Sequence, residues 1–459
     1  MVRMSSITEP AVAPARACAY RVLRRVFEDG AYAEKALQAE SVSLDARDRA
    51  LAMRLAYGAI QRAGTADFLI RRLAGRPSSR IDVPLLASLR LGLYELLYLD
   101  GSPDYAVVAD AVELAKAPGR RGHGLVNAVL RRAAREGREA LLGTLGDDTP
   151  RRAAVAHSHP EWIARLWWEA LGPEQARALM ARDNEPAELA LRVNTLVAEP
   201  GELAGRLGVA TRRDPLLPEA LVAEGPFDVH GSALWREGAF TAQSRGAMLV
   251  GRTLDPQPGH AVLDLCAAPG GKSTHLAALM GGQGSVVAVD ASPARARALE
   301  QTVRRMHARS IRVEVGDARL PRTGESYDRV LVDPPCSGLG TLQARPDLRW
   351  RAGLAAIEQM RADQFRILDC GAQVLRPGGV LVYSTCTISP TENERLIADF
   401  LDARPEFQLD DLAAEMPDLT LPQPPAGHPV ALPDGGSALM TLPHRDDTAG
   451  FFIARIRRR

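Results

Sequence analysis

Two cysteines stand just past the ends of two apolar runs. One lies in Val332-Asp333-Pro334-Pro335-Cys336-Ser337-Gly338, the other in Tyr383-Ser384-Thr385-Cys386-Thr387. A cysteine is often no more than a small buried hydrophobe, and that reading suits Cys18 and Cys370, which fall within helical stretches. It suits Cys336 and Cys386 poorly, because a rigid Asp-Pro-Pro turn precedes one and a Ser-Thr pair the other. If their two strands are sheet neighbours, both thiols open into one crevice, and the chemistry on offer is nucleophilic attack by a thiolate. A free thiol with a pKa near ~8.5 is mostly protonated at neutral pH, so a nucleophile here needs activating surroundings.

A third stretch, Val262-Leu263-Asp264-Leu265-Cys266-Ala267-Ala268-Pro269-Gly270-Gly271-Lys272-Ser273-Thr274, reads as strand, glycine-rich turn and helix start, the opening unit of a doubly wound α/β fold. Its end, Gly271-Lys272-Ser273, is that of a nucleotide-triphosphate loop, and Asp333 after Arg329-Val330-Leu331-Val332 imitates the metal-binding acid of an ATPase. That reading fails at Cys266, where the motif requires glycine, and at Pro269, which has no N–H for a phosphate. The next strand ends in Asp290 a little over 20 residues after the loop, a spacing that suits a carboxylate accepting from ribose hydroxyls. Taken alone, Asp290 is equally the cap of a helix beginning at Pro293. Together with the loop it points to a nucleoside ligand that need not carry phosphate.

These residues need a parallel sheet to position them. Strands are expected at Ala261–Leu265, Val286–Asp290, Ile311–Val315, Arg329–Asp333 and Val380–Ser384, each followed by small or polar residues, with antiparallel edge strands at Ser437–Leu442 and Gly450–Arg457. Upstream, apolar spacing of three to four predicts helices over Ala15–Asp29, Leu44–Ala74, Val83–Tyr98, Asp104–Ala117 and Gly124–Glu136, a bundle with its own core. Residues 140–160 read as a linker. Helices over Glu161–Leu171 and Pro173–Asn184 and a strand over Ala190–Thr195 follow, within a small α+β module. His157-Ser158-His159 is a turn entering a helix rather than a metal pair.

The chain of 459 residues allows about three domains. With 46% apolar and 25% charged residues it has the composition of a soluble globular protein. A net charge of +1 leaves no global attraction to nucleic acid, so a basic surface must be local. The first 140 residues carry six more basic than acidic side chains and are the place to look. Lysine occurs only at 35, 116 and 272, which singles out Lys272. Five cysteines without a Cys-x-x-Cys pair, no signal peptide and no apolar run of membrane-spanning length predict a cytoplasmic protein.

The ordered stretches Cys266–Lys272, Asp290, Gly316-Asp317-Ala318, Asp333–Cys336 and Ser384–Thr387 resemble the motifs of RNA cytosine-5 methyltransferases that depend on S-adenosylmethionine. Ala50–Gly58 and Val126–Arg132 resemble a NusB-type RNA-binding domain. From about residue 12 to the end, through Leu191-Arg192-Val193-Asn194 and Ala449-Gly450-Phe451-Phe452, the chain is similar to the 16S rRNA cytosine-5 methyltransferase B family. The resemblance implies an all-α NusB-like bundle (12–140), a linker and small α+β module (141–235) and an α/β doubly wound, Rossmann-like methyltransferase domain (236–459). It also implies Cys386 as the thiolate attacking carbon 6 of cytosine and Cys336 as the group that assists product release. Cofactor contacts map onto Cys266, Ala267, Ala268, Pro269, Gly270, Gly271 and Lys272 around the methionine portion, Asp290 on the ribose and Asp317 near the adenine. Asp333 falls on the cytosine amine or N3, or on the cofactor's amino group. Lys272 is the candidate cation that activates the thiolate.

Arg120, Arg121, Arg131, Arg132 and Arg345 are candidate contacts to RNA phosphates, each with the alternative of a solvated surface. The expected partner is small-subunit rRNA, unassembled or partly assembled, bound by a monomer without metal or membrane. Two departures from the family pattern stand out. Ser244-Arg245 follow Phe240-Thr241-Ala242-Gln243 where many relatives have an acidic pair, and Gln343-Ala344-Arg345-Pro346-Asp347 stands where many have paired arginines before Pro-Asp. The rival readings are the same chemistry on tRNA or another RNA, and an RNA-binding assembly factor without turnover.

Overall fold

Apolar residues recurring every three or four positions between 14 and 136 wind into the helices Pro14–Phe27, Ala33–Glu40, Ala46–Gln61, Ala63–Ala74, Val83–Tyr98, Asp104–Ala115 and His123–Glu136. The computed structural model describes residues 12–116, 122–420, 428–432 and 436–459. Val83–Tyr98 is apolar all round and has to be covered on every side. Its Leu85, Leu89 and Leu93 join one buried cluster, and its Ala87 and Leu91 join a second with Val22, Leu55 and Ile60. The single helix expected over 44–74 is two, broken at Arg62 (φ −92°, ψ 10°). Ala33–Glu40 is an additional helix, too short to persist alone and held by burial of Ala33, Ala36 and Leu37. The expected linker at 140–160 contains the helices Arg138–Leu142 and Pro150–Ala156.

The chain divides into two compact units. The first runs to Glu185 and also takes in Leu342–Arg351; the second comprises Pro186–Thr341 and Ala352–Arg459. These divisions differ from the boundaries read at 140 and 235. Helices Glu161–Leu171 and Pro173–Arg182 group with the helical unit, and the strands after them group with the α/β unit. His159 is fully buried in the first unit, with Nε2 3.3 Å from Asp183 Oδ2.

The second unit holds two sheets. The smaller is antiparallel, in the order β2 (Thr211–Arg213), β3 (Ala220–Ala223), β1 (Ala190–Val193), β4 (Phe240–Ala242). The larger is built around the parallel strands β5 (Ala261–Leu265), β6 (Ser285–Asp290), β7 (Ile311–Val315), β8 (Tyr327–Val332) and β9 (Leu375–Thr385). It is extended by the antiparallel β10 (Phe407–Leu409), β11 (His428–Ala431), β12 (Ser437–Thr441) and β13 (Phe451–Arg458). Its order is β11-β12-β13-β9-β8-β5-β6-β7, with β10 pairing β13. From β5 the chain goes outward through β6 and β7, then returns to lay β8 on the other side of β5. That reversal makes the carboxyl ends of β5 and β8 the switch point where a crevice opens. Helices Gly271–Leu279, Pro293–Arg305 and Leu354–Gln373 connect the strands. Among the described residues no helix is long and apolar enough to cross a membrane.

Candidate active site

Register brings the candidate residues together. Leu265 on β5 pairs with Val332 on β8, and Val332 pairs with Tyr383 on β9. The residues that follow these three therefore emerge side by side at one sheet edge. Cys266 leaves β5 in the left-handed conformation (φ 67°) that glycine adopts freely. Ala267 N–H then donates to Val289 O at 2.8 Å, tying the loop to the end of β6. Gly270 turns in the left-handed region (φ 102°) that side chains rarely adopt, and a Cβ there would press on Leu299 Cδ1 at 2.7 Å. With the loop so bent, Lys272 sits in the first turn of Gly271–Leu279, its ammonium 2.8 Å from Asp333 Oδ2 and 5.0 Å from the Phe451 ring centre. Ser384 Oγ donates to Asp333 Oδ1 at 3.0 Å. Burial works against the Lys272 ammonium, but Asp333 outweighs it and the pKa is raised, with Cys386 adding in the same direction.

Beyond Asp333 and Ser384 the two thiols meet, Cys336 Sγ and Cys386 Sγ lying 3.4 Å apart. Hydrogen bonding to Cys386, then burial, pushes the Cys336 thiol well above its ordinary range. The two turns are laced together: Gly340 N–H donates to Cys386 O at 3.0 Å and Gly450 N–H to Gly340 O at 2.7 Å. Gly340 is required by this approach, because a Cβ would stand 2.1 Å from Gly450 O.

Next to the thiols is a cavity of ≈ 210 Å³ lined by Cys266, Asp290, Asp317, Pro335, Met360 and Ile367 among others. Asp290 is buried; Oδ1 accepts from Ser292 N–H at 3.0 Å and Oδ2 lies 3.3 Å from the Arg295 guanidinium. The Arg319 side chain and N–H hold Asp317 at a pKa of about 2, and Arg319 also reaches Asp363 at 3.3 Å. Burial, with Asp333, Asp264 and Asp290 nearby, pushes the Cys266 thiol up to about 12. Anionic oxygens at successive strand ends, with an apolar wall between them, fit the hydroxyls, amine and ring of a nucleoside.

Of the arginines proposed for RNA, Arg131 and Arg132 are exposed on His123–Glu136, where Arg131 pairs with Asn127 and Arg132 with Glu136. Arg345 is exposed in Leu342–Arg351, and Arg120 and Arg121 lie outside the described residues. Neither departure from the family pattern leaves a gap. Buried Arg245 pairs with Glu188 (2.7 Å) and Asp214 (3.0 Å) and donates to Asp447 O. Gln343 donates to Glu185 O at 3.3 Å within the helical unit. Sequence reasoning missed Ser384 as a ligand of Asp333, the arginines on Asp290 and Asp317, and the buried pair Glu392 and Asn393. The only signal for the last was a polar Thr-Glu-Asn-Glu run ahead of a helix, which reads as capping.

A parallel sheet with this switch point, a nucleoside-sized cavity and acids at the end of β6 and just after β7 fit the nucleoside of S-adenosylmethionine, and the family matches make the chain a methyltransferase that depends on it. The description "16S rRNA methyltransferase RsmB/F" matches residues 251–457, the NusB family matches 13–135, and an RsmF/B-like ferredoxin-like domain matches 159–230. Proteins named probable ribosomal RNA small subunit methyltransferase B, from Synechocystis and Bacillus subtilis, are 36% and 33% identical. Both matches cover 97% of this chain, and they span 99% and 98% of those proteins respectively. A crystal structure of the protein PH0851 superposes with a TM-score of 0.78 at 28% identity, over 98% of this chain and all of that one. The chain belongs to the RsmB/F family of 16S rRNA methyltransferases.

Proposed function

We propose that the protein methylates carbon 5 of a cytosine in small-subunit rRNA through a covalent adduct of Cys386 with carbon 6. The observation that carries this reading is the pair of thiols 3.4 Å apart, with the Lys272–Asp333 pair at the adjoining strand ends and Pro335 of the Cys336 turn in the cavity wall. The names of the full-length relatives support rRNA as the substrate.

Carbon 5 of cytosine is a poor nucleophile. Addition of the Cys386 thiolate to carbon 6 breaks the 5,6 double bond and makes carbon 5 enamine-like. Asp290, Asp317 and the Cys266–Lys272 loop would hold S-adenosylmethionine, which would supply an electrophilic methyl group. Lys272 stabilises the attacking thiolate, and Asp333, fixed by Lys272 and Ser384, orients the cytosine or the cofactor's amino group. Loss of the carbon 5 proton then re-forms the double bond and expels Cys386. Cys336 suits that step. Its Sγ lies 3.4 Å from that of Cys386, beside the bond that breaks as a base takes the carbon 5 proton and the Cys386 thiolate leaves. The target base has to reach a crevice, so it lies in a loop or flips out at a cost of a few kcal/mol in a duplex.

The test is a denaturing gel after incubation with S-adenosylmethionine and undermodified rRNA, with nucleoside mass spectrometry for 5-methylcytidine. Cys336→Ala is expected to accumulate a protein–RNA adduct, and Cys386→Ala to form none and transfer no methyl. The reversed pattern makes Cys336 the nucleophile, and no methylation by the wild type overturns the reading.

A further inference from the structure

The Cys336 and Cys386 turns both lean on two consecutive side chains, Glu392 and Asn393, which are completely buried. Glu392 grips the first turn. Its carboxylate accepts from Ser337 N–H (2.9 Å), Ser337 O–H (2.5 Å) and Gln364 Nε2 (3.0 Å), and the same Gln364 amide donates to Pro335 O at 2.9 Å. Asn393 grips the second. Its Oδ1 accepts from Thr385 O–H at 2.6 Å and its Nδ2 donates to Thr387 O at 3.0 Å, so it holds the residues on both sides of Cys386. Ser337 Oγ and Thr387 Oγ1, 2.6 Å apart, close the ring between the turns, and Tyr383 O–H fastens the Glu392 carbonyl to β9.

The plain alternative is that the pair caps the helix Glu394–Ala403. Asn393 does occupy its N-cap position, yet its side chain makes no hydrogen bond to that helix. A residue type favoured for capping is spent instead on the Cys386 turn. A buried carboxylate is costly unless fully bonded, and the donors that satisfy Glu392 come from the Cys336 turn and the helix behind it.

We propose that Glu392 and Asn393 are positioning residues that set the spacing of the two thiols, Glu392 through the Cys336 turn and Asn393 through the Cys386 turn. The steps assigned to them rest on the reading of Cys386 as nucleophile; the spacing itself does not. Charge runs the same way, since Glu392 helps keep the proton on Cys336 while Lys272 lies toward Cys386.

Phenylarsine oxide tests the spacing without RNA, because its arsenic exchanges its oxygen, lost as water, for two thiol sulfurs held close together. The wild type is expected to take up a single phenylarsine that Cys336→Ala does not retain. Glu392→Gln and Asn393→Ala, melting near the wild type, are expected to bind it at least about tenfold more weakly. In turnover each is expected to lose kcat on the order of 10²-fold, as for a misplacement near 1 Å, with cofactor affinity and the KM for RNA unchanged. Glu392→Gln should accumulate adduct and Asn393→Ala should fail to form it. Should either variant fail to fold, Ser337→Ala, which removes the hydroxyl shared by Glu392 and Thr387, takes its place with the Glu392 phenotype. Folded variants with wild-type arsenical affinity overturn the proposal, as does a loss of kcat that merely follows loss of cofactor binding and melting temperature. If the wild type captures the arsenical but methylates no RNA, the methyl-transfer reading falls and the positioning role stands.

Discussion

Cys266 performs the bend out of β5 in a conformation that costs a non-glycine residue about 1–3 kcal/mol. Its thiol forms part of the cavity wall, and the pKa of about 12 set by burial and three nearby carboxylates keeps it protonated and unreactive. Iodoacetamide at pH 8 is therefore expected to modify Cys386 well before Cys266, read by peptide mass mapping; equal labelling contradicts this ordering. Lys272 plays the opposite part, a partly buried cation facing both Asp333 and Cys386. Lys272→Met removes the charge that favours the thiolate. Adduct formation should slow by roughly tenfold or more, the scale of one pKa unit, and its pH profile should move to higher pH. An unchanged profile would assign the lysine to Asp333 alone.

Among the elements, β5 carries a carboxylate with no solvent at all. Burial pushes the Asp264 pKa up to about 7, against the hydrogen bond from Ser273 O–H at 2.6 Å. The unfolded chain ionises this group near pH 4 while the folded chain keeps its proton, so between about pH 4 and 7 the native state binds more protons. Stability should fall as pH rises through that window and level off above it. Asp264→Asn should flatten the fall, measured by urea denaturation at several pH values; an unaltered slope would place the titration elsewhere. Much at this scale was legible in advance. Ala261–Leu265 and Ile311–Val315 carry β-branched, apolar residues bounded by turns, and Val83–Tyr98 is delimited by Pro84 and the Gly101-Ser102-Pro103 break. Short helices such as Ala33–Glu40 were not legible, because their stability comes from the surface they are packed on. The thiols were visible as residue types after strands, whereas their 3.4 Å separation depends on Gly340, Glu392 and Asn393. The Gly340 and Glu392 contacts join stretches far apart in sequence, and the Asn393 contacts reach back six and eight residues across a turn, so no regular spacing reports them.

At the scale of the whole molecule, chain connectivity ties catalysis to the helical unit. The stretch that leaves the Cys336 turn passes at Leu342 into the unit formed by the first 185 residues, and the chain returns to the α/β unit at Ala352. Within the helical unit Arg349 is fully buried and donates to Ser158 O (3.1 Å), Asp183 O (3.0 Å), Gln61 O (3.3 Å) and Asn184 Oδ1 (2.9 Å). Burial lowers its pKa to about 10, with Asp183 opposing, so it remains a cation at neutral pH. Trp350 Nε1–H donates to Ile60 O at 2.8 Å. Four acceptors on three separate stretches of chain thus converge on one guanidinium that comes from the catalytic half of the sequence. Arg349→Ala leaves those acceptors buried and unpaired, and a loss of at least about 1–3 kcal/mol, the scale for one unsatisfied buried acceptor, is expected. Arg349→Lys keeps the charge but lacks the planar fork and should recover part of it. The loss should fall on the helical unit, so in denaturation followed by circular dichroism the helical signal should be lost earlier than in the wild type. A single transition at the wild-type midpoint would mean that Leu342–Arg351 adds nothing to the unit it enters.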